Sequence, residues 1–328
     1  MSNCVVTGVA GFIGSHLAER LVSSGHQVTG IDCFTDYYPR TYKEANLERL
    51  FDNRNFDFVE ADLLDADLLP LLSNVDYVFH QAAQPGVRKC WGSHFSTYVS
   101  NNILSTQHLL ETVKQVSLTK LIVASTSSIY GDAEGDSTPE SVLPRPKSPY
   151  GVSKLAAEHL CNVYASSFGF PVVVLRYFTV YGPRQRPDMA FHIFIKAMLQ
   201  GEEIVIFGDG NQSRDFTFVD DAVEANILAM DSPTPTDIFN IGGGSRVTVN
   251  ETLQLLEKIT GITPRVRYAP GVRGEARRTA ADIRKAQRML GYEPKYSLAE
   301  GLTKEVEWLK ASYVREEPAQ AAAMQFQS

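Results

Sequence analysis

The first half of the chain alternates short apolar runs with longer stretches in which apolar and polar residues mix. Near-continuous apolar runs are typical of strands whose sheet is covered on both faces, and the mixed stretches between them have helical character. Repeated alternation of strands and helices predicts an α/β fold with a doubly wound parallel sheet, the Rossmann arrangement. The predicted strands are Asn3–Thr7, Gln27–Asp32, Phe56–Glu60, Tyr77–Gln81, Leu121–Ser125 and Val172–Tyr177, and the predicted helices include Ile13–Ser24 and Asn101–Val116.

The pattern loosens after about residue 178. We predict a Rossmann domain over residues 1–178, to which some later segments return, and a smaller α/β substrate lobe over residues 179–314 that packs over the carboxyl ends of the strands. This lobe shows no further strand-helix-strand repeat. Residues 315–328 lack apolar periodicity and are expected to form a flexible tail. The helices predicted in the second half are Phe191–Gln200, Asp220–Met230, Asn250–Thr260 and Leu298–Lys310.

Composition narrows the class of protein. Of the 328 residues, 44% are hydrophobic and 21% are charged, and the formal net charge is −7. This acidic balance argues against nucleic-acid binding and against a membrane-surface protein. No apolar run approaches the ~20 residues of a membrane span and no secretory signal is visible, so we expect a cytoplasmic protein. The cysteines are far apart and are expected to be buried thiols rather than metal ligands: Cys4, Cys33, Cys90 and Cys161.

A glycine-rich turn follows the first predicted strand. Gly8, Gly11 and Gly14 are three residues apart and lead into the first predicted helix. Glycines at these positions permit a tight turn and let the backbone approach a pyrophosphate, while the helix N-terminus offers N–H groups and the positive end of its dipole. We therefore predict a phosphate-binding turn, with Phe12 and Ile13 beside the bound group.

Acidic residues at the ends of the next two strands indicate a dinucleotide. Asp32 ends the second predicted strand, 18 residues after Gly14. A carboxylate there accepts hydrogen bonds from the adenosine ribose and repels a 2′-phosphate, which favours NAD over NADP. Asp62, followed by Leu63, ends the third predicted strand and is a candidate to bind the adenine. A helix N-cap explains Asp62 equally well.

Tyr150 and Lys154 form the candidate acid/base pair. Their spacing places them about one turn apart on one helix face. A phenol with an ordinary pKa near ~10 is a poor base at neutral pH, and a nearby cation favours its phenolate. The spacing is common by chance, and on its own a solvated helix edge explains it as well. Its meaning depends on the motifs around it.

Those motifs together resemble the extended short-chain dehydrogenase/reductase family, and the resemblance covers nearly the whole chain. Within that family the chain looks most like the nucleotide-sugar 4-epimerases. The run from Thr179 to Ala190 carries most of this closer likeness. The matching segments are TGVAGFIGSHL, GID, HQAAQPGVR, ASTSSIYG, SPYGVSK, LRYFTVYGP and GDGNQSRDFTFVDD.

The resemblance implies an enzyme that epimerises C4 of a UDP-sugar with bound NAD, most closely UDP-glucuronate to UDP-galacturonate through a 4-keto intermediate. It makes Tyr150 the catalytic acid/base, and Lys154 its electrostatic partner and a ligand of the nicotinamide ribose. Thr126 matches the residue that hydrogen-bonds the reacting hydroxyl, and Tyr177 lies near the nicotinamide. The resemblance also implies a homodimer.

The run after the fifth predicted strand bears on the sugar carboxylate. Oxidation at C4 of a uronate makes a β-keto acid that readily loses CO2, and related decarboxylases carry Glu where this chain has Ser128. The absence of acids at Ser127 and Ser128 disfavours such eliminations. We interpret the hydroxyls of Thr126, Ser127, Ser128 and Thr179 as a carboxylate pocket. The alternative is a Ser/Thr-rich strand end that caps backbone groups.

Cations are expected to bind the nucleotide diphosphate. The resemblance assigns Arg214 and Arg273 to the phosphates, since guanidinium suits bidentate recognition of oxygen pairs, and Glu275 to the nucleotide ribose. Arg88 and Arg186 are further candidates for contact with the sugar or the diphosphate. Three alternatives stay open: a UDP-glucuronate decarboxylase, a UDP-glucose 4-epimerase and, outside the enzymes, an NAD-sensing regulator.

Overall fold

The chain builds a parallel sheet flanked by helices. Within residues 1–325, which the computed structural model describes, seven parallel strands form this central sheet and shorter strands form two small sheets. The strands are β1 (Asn3–Thr7), β2 (Gln27–Asp32), β3 (Phe56–Glu60), β4 (Tyr77–His80), β5 (Lys120–Thr126), β6 (Val172–Tyr177), β7 (Thr179–Tyr181), β8 (Glu203–Phe207), β9 (Ser213–Phe218), β10 (Asp237–Ile241), β11 (Arg246–Thr248) and β12 (Arg265–Ala269).

The helices cover both faces of the central sheet and build the second lobe. A 3₁₀ turn, Gly92–His94, precedes α4, and a π-helical segment, Val99–Leu104, joins α4 to α5. The helices are α1 (Phe12–Ser23), α2 (Arg40–Phe51), α3 (Leu68–Leu72), α4 (Phe95–Tyr98), α5 (Ser105–Val113), α6 (Pro149–Phe168), α7 (Ala190–Gln200), α8 (Val219–Asp231), α9 (Val249–Thr260), α10 (Arg284–Leu290) and α11 (Leu298–Gln325). Among the described residues, no helix has both the length and the apolarity that a membrane crossing needs.

The strand order of the central sheet is β10-β6-β5-β4-β1-β2-β3. Strand β1 pairs in parallel with β2 on one side and with β4 on the other, so the direction in which the sheet grows reverses there. Ligands of doubly wound sheets bind at such a reversal, beyond the carboxyl ends of the strands. The predicted fold class is confirmed, and the predicted bounds of most strands in the first half match.

One prediction about the second half, that it holds no further strand-helix-strand repeat, is wrong. Strand β10 pairs in parallel with β6, and β12 pairs in parallel with β8, so strand-helix-strand connections do continue after β6. The local sequence pattern does not reveal these two pairings, because long insertions separate the partner strands along the chain. Residues Arg315 to Gln325 are helical and continue α11, since alanine, glutamine and glutamate favour a helix without apolar periodicity. The flexible tail over residues 315–328 stays a prediction. The remaining tail residues, 326–328, lie outside the described residues.

A buried ion pair and its hydrogen bonds tie the neighbouring strands β5 and β6 to α6. Arg176 of β6 and Glu158 of α6 meet at 2.7 Å between Nη2 and Oε2, and both side chains are almost fully buried. Arg176 also donates to the hydroxyl of Tyr130, which donates to Asn240 on β10. Ser125 of β5 donates to Glu158. These contacts hold α6, which carries the candidate acid/base pair, against the sheet.

Replacement of Glu158 by alanine is expected to destabilise the protein by about 3–5 kcal/mol, because it leaves the Arg176 guanidinium buried and unpaired. Chemical denaturation of the NAD-saturated protein measures the change. Arg20→Ala serves as the control, because Arg20 is half exposed in its ion pair with Glu224 and its loss is expected to cost less than about 1 kcal/mol. Equal effects of the two substitutions would contradict the prediction.

Candidate active site

A deep cleft lies beyond the carboxyl ends of the central strands, at the reversal between β1 and β4. Residues that directly follow β1, β2, β3 and β4 line one part of it, and the ends of β5 and β6 line the other. The start of α6 and the loop after β7 close the cleft. The cleft lining includes every predicted catalytic and cofactor-binding residue: Gly8, Gly11, Phe12, Ile13, Gly14, Asp32, Asp62, Leu63, Thr126, Tyr150, Lys154 and Tyr177.

The glycine turn is packed too tightly for side chains. Gly8 has a φ of +68°, and a Cβ built there would lie 2.7 Å from the backbone of Ala82. A Cβ on Gly14 would lie 2.3 Å from the carbonyl oxygen of Gly8. No side chain caps the start of α1 at Gly11, so the amides of its first turn face the cleft without an internal cap. This turn fits a pyrophosphate, as NAD requires.

Asp32 is held by backbone amides at the next strand end. Its carboxylate accepts hydrogen bonds from the amides of Ala10, at 3.1 Å, and of Phe34, at 2.8 Å. Burial raises the pKa of Asp32 above its usual value, and the two hydrogen bonds and the charge of Lys43 counteract part of that rise. Lys43, on α2, also lines the cleft and donates to the carbonyl oxygen of Thr35 at 2.5 Å. The sequence pattern gave no signal for Lys43, because α2 is polar on most of its surface.

Asp62 lines the cleft beside Leu63. Its carboxylate accepts a hydrogen bond from the amide of Leu64 at 2.9 Å, which stabilises a local turn. The N-cap of the following helix α3 is Asp67, so the helix-cap explanation of Asp62 does not apply. A carboxylate that shapes a turn and also faces the cleft suits the adenine contact that we predicted.

Tyr150 and Lys154 face the cleft from the first two turns of α6. Ser148 caps the helix by accepting from the amide of Gly151 at 3.2 Å, which orients the turn that carries Tyr150. Tyr98 packs edge-on against the Tyr150 ring, with 6.1 Å between centroids. Lys154 is buried, and burial lowers its pKa to about 8.

Arg186 is a cation that acts on Tyr150. Burial raises the pKa of Tyr150, and a hydrogen bond with Thr126 and the positive charge of Arg186 lower it. The expected role of Lys154 as the electrostatic partner of Tyr150 stays a prediction. Arg186 reaches the cleft from the loop between β7 and α7, far from Tyr150 in sequence, so helix spacing could not reveal it.

The predicted hydroxyl residues line the same cleft as Tyr150. Thr126, Ser127, Ser128 and Thr179 all line the cleft together with Arg186. Thr126 accepts from the amide of Ser128 at 3.2 Å, so the backbone-capping explanation holds for this one hydroxyl, while its hydrogen bond with Tyr150 also points it at the cleft.

On β6, beside Thr126 of β5, Tyr177 accepts a hydrogen bond from Asn226 at 2.7 Å and contacts Gln81. Burial raises its pKa to about 12, so Tyr177 stays protonated near neutral pH. It can therefore donate a hydrogen bond into the cleft.

The remaining predicted substrate residues form a group outside the lining of this cleft. Arg88 meets Glu275 at 2.6 Å, and Arg214 lies 3.9 Å from the same carboxylate. The Arg88 guanidinium also stacks over the ring of Phe207, an aromatic residue that the sequence pattern did not single out. Arg273 is exposed, two residues before Glu275. Within the described part of the chain, no group of three or more His, Cys, Asp or Glu side chains is arranged to hold a metal ion.

Comparison with known proteins places this geometry in a family. A family model described as the NAD dependent epimerase/dehydratase family matches residues 4–242. The chain belongs to the NAD-dependent epimerase/dehydratase family. Two curated relatives of this family are an uncharacterised UDP-glucose epimerase of Bacillus subtilis, 47% identical over 94% of this chain and 98% of its own length, and the UDP-glucuronate 4-epimerase of Thermodesulfobacterium geofontis, 38% identical over 94% of this chain and 97% of its own.

A solved structure agrees with the family assignment. The UDP-glucuronic acid 4-epimerase from Bacillus cereus, crystallised with UDP-glucuronic acid and NAD, is 47% identical to this chain and superimposes with a TM-score of 0.92. The match covers 95% of this chain and 100% of that one. The predicted resemblance to nucleotide-sugar epimerases is thus confirmed, and NAD is the cofactor of the family.

Substitution of Asp32 by asparagine is expected to weaken NAD binding and to improve NADP binding, because the neutral amide no longer repels a 2′-phosphate. The preference for NAD should fall at least about tenfold, which corresponds to about 1.4 kcal/mol. Titration of nucleotide-free protein with each cofactor measures the ratio. Asp36→Asn is the matched control, since Asp36 is an exposed carboxylate of the same loop. An unchanged ratio in Asp32→Asn would contradict this role for Asp32.

Proposed function

We propose that this enzyme interconverts UDP-glucuronate and UDP-galacturonate by NAD-dependent epimerisation at C4. The observation that carries the proposal is the juxtaposition in one cleft of a partly buried acid/base, Tyr150, with a carboxylate-binding group made of Arg186 and the hydroxyls of Ser127, Ser128 and Thr179. A sugar whose C4 hydroxyl meets Tyr150 has its C5 substituent within reach of that group. A carboxylate is the substituent that such cations and donors prefer.

NAD, when bound at the glycine turn, accepts the hydride of C4 and later returns it, so no net oxidation occurs. Tyr150 supplies the proton chemistry. It takes the proton of the sugar 4-hydroxyl as the 4-keto sugar forms. After the sugar has turned in the site, it returns the proton to the 4-oxygen while the hydride adds to the opposite face of C4. Thr126 orients the reacting oxygen through its hydrogen bond with Tyr150. Lys154 is buried one turn further along α6, and we assign it to the nicotinamide ribose of NAD.

The carboxylate group explains how CO2 loss is avoided. The 4-keto uronate is a β-keto acid, and its decarboxylation moves the negative charge of the carboxylate into the ring. Arg186 and the hydroxyls of Ser127, Ser128 and Thr179 stabilise the charge while it is on the carboxylate. Because they stabilise the ground state more than the transition state for CO2 loss, they slow that side reaction.

We propose that the nucleotide half of the substrate binds beside Arg88, Arg214, Arg273 and Glu275. Arg214 and Arg88 share Glu275, so their guanidinium groups are preorganised for a diphosphate and keep free N–H donors. The Phe207 ring under Arg88 offers a flat apolar surface for a base. In this division residues 1–178, joined by β10, bind NAD, and residues 179–314 bind the UDP-sugar.

A second candidate is epimerisation of UDP-glucose. The name of the Bacillus subtilis relative favours it. The presence of Arg186 in the cleft disfavours it. UDP-glucose carries a hydroxymethyl group at C5 where UDP-glucuronate carries a carboxylate, so it offers Arg186 no anionic partner. UDP-glucuronate decarboxylase is disfavoured by Ser128, which replaces an acid.

The purified enzyme is expected to convert UDP-glucuronate to UDP-galacturonate at a rate well above that for UDP-glucose, with little CO2 or UDP-pentose. Chromatography of both reactions run side by side, with trapping of CO2, checks this. UDP-pentose as the main product would overturn the proposal.

Tyr150→Phe should lower the turnover rate at least about a thousandfold and leave NAD binding intact, because it removes the acid/base group and little volume. Retained turnover would exclude catalysis by Tyr150, and an enzyme-inactive wild type that still binds NAD would favour the regulator.

We also propose that the enzyme is a homodimer paired through α5 and α6. Val152 and Val163 lie on one face of α6 and are 47% and 58% exposed, and Leu104, next to α5, is 47% exposed. Such apolar side chains on adjacent helices suit a helix-pairing interface.

We also propose that the protein is located in the cytoplasm. Its four cysteines are free thiols, which fits a reducing compartment, and cell fractionation tests this location.

Val163→Arg is expected to shift the protein from twice the mass of one chain to the mass of one chain in sedimentation experiments, because it places a charge in the proposed interface. Val142→Arg is the control, since Val142 is 40% exposed on a loop away from α5 and α6. A wild type with the mass of one chain would refute the dimer.

A further inference from the structure

Arg186 is held by an acidic partner on one edge of its guanidinium. Its Nε lies 2.9 Å from Oδ1 of Asp188 and its Nη2 lies 3.1 Å from Oδ2. A guanidinium has five N–H donors, and this side-on pairing uses two of them, which leaves three for a ligand. The free edge suits an end-on, bidentate contact with a second carboxylate. Asp188 therefore orients Arg186 without consuming its capacity to bind an anion.

Asp188 is held in turn by Tyr37. The Tyr37 hydroxyl donates to Oδ2 of Asp188 at 3.1 Å, and its ring lies 5.8 Å from the Arg186 guanidinium. Close packing defines the position of that hydroxyl, since a Cβ on Gly86 would lie only 2.6 Å from it. Tyr37 thus contacts both members of the ion pair and limits the directions that Arg186 can take.

Tyr37 belongs to the cofactor side of the cleft. It lies in the loop between β2 and α2, the loop that also supplies Asp32 and Thr35 to the lining. The loop that carries Arg186 is anchored separately on α1, because Arg184, with a φ of +67°, pairs with Glu19 at 2.7 Å. The backbone around Arg186 is therefore held by α1, and its side chain is held by the β2–α2 loop.

We propose that Tyr37 and Asp188 are positioning residues that aim Arg186 at the sugar carboxylate, so that a residue of the cofactor-binding loop determines selectivity for uronate sugars and retention of CO2. The inference rests on the function proposed above. It assigns a selectivity role to a loop whose other residues serve the nucleotide cofactor. It also gives a role to the hydrogen bond from the Tyr37 hydroxyl to Asp188, while Asp32 is the residue expected to contact the adenosine.

Tyr37→Phe tests the proposal, because it removes the hydroxyl and keeps the ring. The dissociation constant of UDP-glucuronate for the NAD-loaded enzyme is expected to rise about five- to tenfold, while that of UDP-glucose, which lacks the carboxylate, stays within about twofold. The fraction of turnovers that release CO2 from UDP-glucuronate is expected to rise several-fold. Calorimetric titration and CO2 trapping measure the two effects.

Tyr268→Phe is the matched control, since the Tyr268 hydroxyl also donates to a side-chain oxygen, that of Asn250, at 3.1 Å but outside the cleft lining. It should leave both dissociation constants unchanged. Asp188→Asn keeps the shape of the side chain and removes its charge. It should also raise the dissociation constant of UDP-glucuronate and leave that of UDP-glucose unchanged, and it serves as the test if Tyr37→Phe fails to fold. Unchanged UDP-glucuronate binding, or equal weakening for both sugars, would overturn the inference. A wild type that does not epimerise UDP-glucuronate would instead refute the proposed function.

Discussion

The close approach of Gly14 to the carbonyl of Gly8 is the constraint on which the rest of the site depends. With no room for a Cβ between them, α1 packs directly against the end of β1. Its unsatisfied first-turn amides then face the cleft, where they suit a diphosphate. The same helix anchors the loop after β7, through Glu19 to Arg184 and through His16, whose Nε2 lies 3.0 Å from the Pro183 carbonyl oxygen. A contact made for the cofactor thus also sets where the sugar-binding loop can lie.

Electrostatics at Tyr150 depend on elements from distant parts of the chain. Burial makes the phenol a weaker acid, and Thr126 on β5 and Arg186 on the loop after β7 act against that effect. Arg186 has two roles in the proposed mechanism, since it favours the phenolate and faces the substrate carboxylate. Asp188 offsets part of the charge of Arg186 and fixes its orientation, and Tyr37 ties that ion pair to the cofactor loop. Acid/base chemistry and sugar selectivity are therefore coupled through one guanidinium.

Much of the fold and site could be predicted because the signals are local. The strand-turn-helix at Gly8, Gly11 and Gly14, the carboxylate at the end of β2 and the spacing of Tyr150 and Lys154 lie within short windows whose geometry follows from backbone rules. The sequence predicted that later segments return to the main domain, but it could not identify β10 as the returning strand, because its partner β6 lies a long insertion away. The helix over residues 315–325 gives no apolar stripe to detect, only a favourable composition.

The sequence alone sufficed to predict the parallel sheet and NAD as cofactor, and it suggested the phosphate-binding turn and the candidate acid/base residue. Each of these follows from residue types at short range, where chain geometry leaves little freedom. Tertiary structure alone decided that Arg186 lies where its charge lowers the pKa of Tyr150, that Lys43 joins Asp32, and that Tyr37 reaches Asp188. These contacts join segments far apart in the chain, and whether two such side chains meet depends on how the sheet, helices and loops pack.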